Sequence, residues 1–113
     1  MPSWKKLIVS GSDAAIPSVS TAADFTVDAG GDIVLDADGT DIILKDDGTS
    51  FGSFKRVSSD FVIKSETQDK DIVLKGNDGG ATITALTLDM SEGGNAQFLK
   101  NISGSQIEAS GDV

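Results

Sequence analysis

The stretch DIILKDDG (residues 41–48) contains the unit that decides the fold: an aspartate, an aliphatic triplet and an Asp-Gly turn. Short runs of Ile, Val and Leu favour β-strands, and Asp-Gly readily adopts the positive φ angles that a tight turn needs. Similar units, each an aspartate followed by two or three apolar residues, recur as DFTV (24–27), DIVL (32–35), DIIL (41–44), DFVI (60–63) and DIVL (71–74). The repetition predicts an all-β fold of short strands joined by Asp/Gly turns.

The segment ATITALTLDMSE (81–92) is the best candidate for a helix, because Ile83, Leu86 and Met90 would share one helical face. Its threonines alternate with apolar residues, however, and this pattern favours a strand. The alternation slips between Ala85 and Leu86, which predicts a β-bulge or the start of a second strand. We therefore expect β-structure here.

Composition divides the chain into three segments. Residues 24–100 contain the repeated units and are predicted to form the β body. Residues 1–23 start with a short apolar stretch and continue as a small, polar, proline-containing sequence, so we predict an extended attachment segment and connector. Residues 101–113 are rich in Ser and Gly and are interpreted as a tail.

The middle residues of the aliphatic triplets are Val34, Ile43 and Val73. Successive side chains of a strand point to opposite faces, so these three face away from the Ile and Leu beside them. One reading is a small sandwich, in which they form the second face of a central strand. The other is that they form an aliphatic stripe, which usually marks an association surface. We predict that Val34, Ile43 and Val73 form an oligomer interface.

The amino-terminal stretch contains the single tryptophan of the chain, Trp4, followed after two lysines by Leu7, Ile8 and Val9. A tryptophan beside three aliphatic residues is typical of a packing or docking anchor. Since the connector that follows need not fold by itself, we predict that Trp4, Leu7, Ile8 and Val9 attach the protein to another component.

Composition also excludes several functions. The chain has no His and no Cys, so imidazole bases, Cys-His nucleophiles, zinc sites built on those ligands and disulfides are all excluded. A net charge of −9 repels nucleic acid and anionic membranes, and no apolar run approaches the length of a membrane-spanning helix. We predict a protein that is not an enzyme, holds no cofactor or transition metal, and binds neither nucleic acid nor the membrane interior.

The abundance of aspartate raises the question of calcium. An EF-hand loop needs an oxygen ligand at its first position, and the loops aligned on Gly39 and Gly48 do not fit, since that position is Val34 in one and Ile43 in the other. Stacked repeats leave one alternative open, a ladder formed by Asp32, Asp41 and Asp71. Aspartate at strand ends and turns is the preferred interpretation, and no metal site is predicted.

Several stretches resemble segments of tail-fibre-like virion proteins from marine tailed bacteriophages. They are DIVLDADG (32–39), DIILKDDGT (41–49) with Phe51-Gly52, DFVIKS (60–65), DIVLKGNDGG (71–80) and ITALTLDMS (83–91). The opening WKKLIVSGSDAA (4–15) is similar to the amino-terminal start of such proteins. The resemblance covers nearly the whole chain.

The resemblance implies a fibrous, trimeric β-structure of the β-helix or β-prism kind, fixed to the virion by its amino-terminal end. The expected partners are two further copies of the chain and other virion components, and a host surface receptor is a further candidate. A short tail fibre, an adaptor, a capsid-decorating spike and a piece of a longer fibre all remain open. A monomeric β-rich module that binds ions or carbohydrate is the alternative from a different class.

Overall fold

The computed structural model describes Asp13 and residues 15–111, and the chain divides into two units, Met1–Val34 and Leu35–Val113. The predicted attachment residues Trp4, Leu7, Ile8 and Val9 lie outside the described residues. In the first unit, the described residues form neither helix nor strand. Within the described part of the chain, no helix has the length and apolarity needed to cross a bilayer.

Six strands form in the second unit: β1 (Asp41–Asp46), β2 (Thr49–Val57), β3 (Asp60–Ser65), β4 (Ile72–Asp78), β5 (Ala81–Asp89) and β6 (Asn95–Phe98). They make two three-stranded antiparallel sheets, ordered β1-β2-β3 and β4-β5-β6. The residues that the structure describes contain no helix. The all-β prediction is therefore confirmed.

Two of the five repeated units do not form strands. Residues 24–27 and 32–35 belong to no sheet, although both were predicted as strands from their aliphatic residues. An aliphatic triplet favours extended backbone, but a strand also needs a neighbour that accepts and donates its backbone hydrogen bonds. Neither segment has such a neighbour in a sheet, so the strand prediction is wrong for these residues, Val34 included.

The hairpin turns form as their Asp and Gly residues predict. Asp47 and Gly48 alone connect β1 to β2, with φ values of 47° and 80°. Positive φ at both central residues is the pattern of the type I′ turn, whose twist matches that of the flanking strands. Gly79 and Gly80 connect β4 to β5 with φ values of 61° and 96°. Both hairpins therefore use the same turn chemistry.

The first sheet contains a β-bulge in β2. Leu44 pairs with Gly52 across the ladder. The next residue, Lys45, pairs with Ser50, so Phe51 is the extra residue. A bulge of this kind adds local twist and interrupts the alternation of faces along β2.

The second sheet contains a bulge at the equivalent place in β5. Leu74 pairs with Leu86, whereas the next residue, Lys75, pairs with Thr84. Ala85 is therefore the extra residue, which confirms the bulge predicted from the slip in alternation. The two sheets follow one plan: an aliphatic first strand, a bulged second strand and a third strand paired beyond the bulge.

A backbone hydrogen bond extends this equivalence to the third strand. The Phe51 carbonyl accepts a hydrogen bond from the N–H of Glu66 at 3.0 Å, and Glu66 is the residue after β3. The Ala85 carbonyl accepts one from the N–H of Leu99 at 3.1 Å, and Leu99 is the residue after β6. Each bulge thus fixes the end of its third strand, and the sheets are two copies of one three-stranded meander.

Neither sheet has a core. Among the described residues no apolar side chain is buried, and the single buried residue is Ser53, at 3% exposed. A sheet that is hydrophobic on one face must bury that face against another element to be stable. The described residues of the single chain do not supply that cover.

The turn geometry predicts opposite effects of two glycine substitutions. Gly48→Ala places a Cβ on a residue with φ of 80°, and we expect each chain to lose about 1 kcal/mol of unfolding free energy. Gly76→Ala is the control, because an added Cβ there meets nothing within 4 Å and its φ is not positive. We expect it to be neutral or to stabilise by about 0.5 kcal/mol. Urea unfolding of both variants is the measurement, and equal losses would contradict the turn assignment.

Candidate functional site

The two faces of each sheet are the candidate functional surfaces. Residues directly opposite each other in an antiparallel ladder have side chains on the same face, so the register assigns every paired residue to a face. We call the more hydrophobic side of each sheet its apolar face. It comprises Ile42, Leu44, Phe54, Phe61 and Ile63 in the first sheet, and Ile72, Leu74, Leu86, Leu88 and Phe98 in the second.

The apolar face of the first sheet is centred on Phe54. Ile42 and Ile63 lie opposite Phe54 on its two neighbouring strands, which makes an unbroken apolar row across the sheet. The Phe61 ring stacks on the Phe54 ring, with the centroids 6.1 Å apart and the planes 7° from parallel. Phe61 is nonetheless 74% exposed, so the stack covers little of its surface. This face offers a large hydrophobic surface to solvent.

The apolar face of the second sheet has two such rows. Ile72, Leu88 and Ala96 form one row, and Leu74, Leu86 and Phe98 form the other. Every position of these rows is apolar and uncharged. Leu74 and Phe98 stay exposed in the single chain. The apolar face of the second sheet is therefore hydrophobic like that of the first, but it is built mainly from aliphatic residues.

The opposite face of the first sheet carries an ion-pair cluster built around Glu66. The Ser53 hydroxyl donates a hydrogen bond of 2.6 Å to Glu66 Oε1, and Lys64 Nζ lies 3.1 Å from Oε2. Lys55 Nζ lies 3.6 Å from Glu66 Oε1 and 3.1 Å from Asp41 Oδ2. The cluster ties the three strands together through their side chains, and we call this side the polar face.

The electrostatics of the cluster favour ionised carboxylates. The hydrogen bond from Ser53, followed by that from Lys64, lowers the pKa of Glu66. The hydrogen bond from Lys55 lowers the pKa of Asp41 and raises the pKa of Lys55 itself. A carboxyl group that acts as a general acid or base near neutral pH needs a raised pKa instead. The cluster is therefore suited to holding strands together.

The predicted interface residues do not share one element. Ile43 lies on the polar face of the first sheet. It pairs with Ser53 of β2, which pairs on its other side with Lys64 of β3. Val73 lies on the corresponding face of the second sheet, opposite Thr87. Both point away from their flanking Ile and Leu, as the alternation predicts. Val34 lies in the first unit and in no strand. Their role as an interface stays a prediction.

The apolar faces were not predicted from the sequence as a candidate surface. The flanking residues of each triplet, such as Ile42 and Leu44, were assumed to pack in a core within the chain, which left the middle residue for a partner. The structure has no such core among its described residues. The available signal was the position of Phe54 between the polar residues Ser53 and Lys55 in β2.

The described residues include no group of three acidic side chains placed to hold a metal ion. Asp41 of the suggested aspartate ladder is paired with Lys55. Asp71 accepts a hydrogen bond from the N–H of Met90 at 3.1 Å. Both carboxylates therefore act as strand-end and turn residues.

No protein-family profile, curated protein or solved structure matches this chain. Its function is therefore inferred from its sequence motifs and from the exposed faces of the two sheets.

The cluster predicts how stability depends on pH. Because folding lowers the pKa of Glu66, its contribution is present above the unfolded-state pKa of about 4.3 and is lost as the pH falls through the folded-state pKa. We expect Glu66→Gln to be less stable than wild type at about pH 6 and to lose less stability on acidification to about pH 3.

Urea unfolding at several pH values measures this difference. Glu92→Gln, at an exposed position between β5 and β6, is the matched control and should follow wild type. Parallel pH profiles for wild type and Glu66→Gln would contradict the role assigned to the cluster.

Proposed function

We propose that the chain is a structural virion protein, a short tail fibre or fibre-like module of a tailed bacteriophage that works as a homotrimer. The observation that carries the proposal is the absence of any buried apolar side chain among the described residues, although six strands are paired in two sheets. Ordered sheets with wet apolar faces need a partner. Association with identical chains supplies one without any further protein.

Surface area supports self-association. A compact monomer of 11.6 kDa exposes about 5,800 Å², whereas this chain exposes 10534 Å². The excess is about 4,700 Å², and it includes surface of the residues outside the two sheets. A standard protein interface buries about 800 Å² per partner. The excess leaves room for an interface of that size between copies.

The threefold arrangement comes from the resemblance to phage fibre proteins. Three identical sheets around a common axis can each turn one face inward, which gives the prism-like or helix-like fibre proposed here. Closed symmetry of this kind covers the same patch on every copy and leaves none open for further growth. Each copy carries a net charge of −9, which keeps such an assembly soluble.

The amino-terminal segment is proposed to attach the fibre to other virion components through Trp4, Leu7, Ile8 and Val9. The described residues 15–37, which follow it, form no regular secondary structure. An extended connector of this kind lets an anchor bind one surface while the β body stands off from it. The proposed location is the virion surface, on the tail or, as the alternative, on the capsid as a decorating spike.

One observation favours a second candidate, a monomeric module that binds carbohydrate. Phe54, Phe61, Ile42 and Arg56 line an open cleft on the apolar face. Aromatic rings stack on the apolar faces of sugars, and an arginine beside them can donate hydrogen bonds to hydroxyls. Neither candidate requires catalysis, and we propose that the chain is not an enzyme.

The two candidates differ in mass. Multi-angle light scattering at micromolar concentration should give a value close to three times the 11.6 kDa chain mass. The monomeric module predicts a value equal to one chain, and that result would remove the trimeric fibre proposal. Titration of a monomer with a sugar panel would then be the next measurement.

Attachment is tested by deletion. Removal of residues 1–15 should leave a trimer with unchanged circular dichroism, because no described strand starts before β1. The deleted protein should be missing from purified particles that incorporate the full chain. A control deletion of residues 101–111, which also contain no strand, should still be incorporated. Normal incorporation after removal of residues 1–15 would contradict the attachment proposal.

A further inference from the structure

The two faces of each sheet compete for contact with another copy, and their chemistry separates them. We propose that the apolar faces of both sheets, rather than the polar faces, are the surfaces on which a second copy of this chain packs. This inference rests on the proposed self-association and names the surface that performs it. It replaces the expectation that Ile43 and Val73 lie in the interface.

Charge is the first argument. The polar face carries Asp41, Asp60 and Glu66 in the first sheet and Asp89 in the second. Since every copy has a net charge of −9, contact between two polar faces brings carboxylates together, and each must lose water. Among the positions paired beyond the bulges, the apolar faces carry one charged side chain, Arg56. Asp46 and Asp78 lie on the same faces at the turn ends of β1 and β4, outside the hydrophobic rows, so copies that pack on these rows meet without opposed carboxylates.

Satisfaction of polar groups is the second argument. The polar face of the first sheet already has its own partners, because Glu66 contacts Ser53, Lys55 and Lys64 within one chain. Packing another chain over these charges gains no new pairing and removes their solvent. The hydrophobic side chains of the apolar face lose no favourable polar interaction with water when they are covered. Covering it removes hydrophobic surface from water at about 25 cal/mol per Å².

Repetition is the third argument. The row of Ile42, Phe54 and Ile63 in the first sheet corresponds to the row of Ile72, Leu88 and Ala96 in the second. The bulges at Phe51 and Ala85 hold the two rows at the same place in their meanders. The two sheets therefore present equivalent hydrophobic rows at equivalent positions. A partner copy can pack on the same face of both sheets.

The absence of cysteine makes a direct test possible, since a single introduced thiol is the only one in the chain. Ile63→Cys lies on the apolar face and Ile43→Cys on the polar face. The two isoleucines are 55% and 51% exposed in the single chain, so burial within one chain does not distinguish the two positions. Neighbouring charges also affect thiol reactivity, and only a difference that disappears on dilution of the protein is assigned to a partner copy. Each purified full-length variant is treated with a maleimide under native conditions after its mass and circular dichroism are recorded.

We expect the thiol at position 63 to react roughly tenfold more slowly than that at position 43, and to react fully in denaturant. Leu74→Cys and Val73→Cys repeat the comparison in the second sheet, where the native residues are 55% and 42% exposed. This pair is used if Ile63→Cys alters the circular dichroism. Slow labelling at positions 63 and 74 supports the proposal.

Other outcomes overturn it in distinguishable ways. If the protein is an oligomer and the thiol at position 43 is labelled more slowly than the thiol at position 63, or at the same rate, the assignment of the apolar faces is wrong. The proposed self-association is not affected by that result. A wild-type mass of one chain with rapid labelling at both positions overturns the assignment together with the proposed trimer. Since only the purified chain is present, protection cannot come from a different partner.

Discussion

Contact between water and apolar side chains is the constraint on which the rest of the structure depends. Hairpin turns, bulges and ladders order six strands in a chain that buries no described apolar residue. Backbone hydrogen bonds alone add little net stability to such sheets, because water competes for the same donors and acceptors. We therefore propose that the hydrophobic effect acts between chains. Self-association, the proposed fibre and the assignment of the apolar faces all follow from this condition.

Local interactions decide the geometry of each meander before any partner is involved. The Asp47-Gly48 turn fixes the register of the first hairpin, and Gly79-Gly80 does so in the second. The bulge carbonyls of Phe51 and Ala85 then hold the chain after the third strand. These contacts give each sheet one apolar side and one polar side. In the proposed assembly, partner chains meet a preformed pattern, which lowers the ordering cost of association.

Much of this architecture follows from sequence, because its causes are local. The Asp-aliphatic units predict β1, β3 and β4, and the slip at Ala85 predicts the bulge. β2 and β6 lack that unit and depend on pairing with their neighbours. The units at 24–27 and 32–35 show the converse, since strand propensity without a ladder partner gives no strand. The interface at Val34, Ile43 and Val73 stays a prediction, because alternation separates the two faces of a strand without showing which of them a partner covers.

The concentration dependence of stability tests the central claim most directly. If copies of the chain supply the missing core, the urea midpoint must rise with protein concentration between about 1 and 100 µM, because unfolding also separates the copies. The midpoint is measured in both unfolding and refolding titrations, so that slow reassembly of the oligomer does not hide the effect. The account predicts a steady rise across this range. A midpoint that is independent of concentration, in a protein with the mass of one chain, would contradict it.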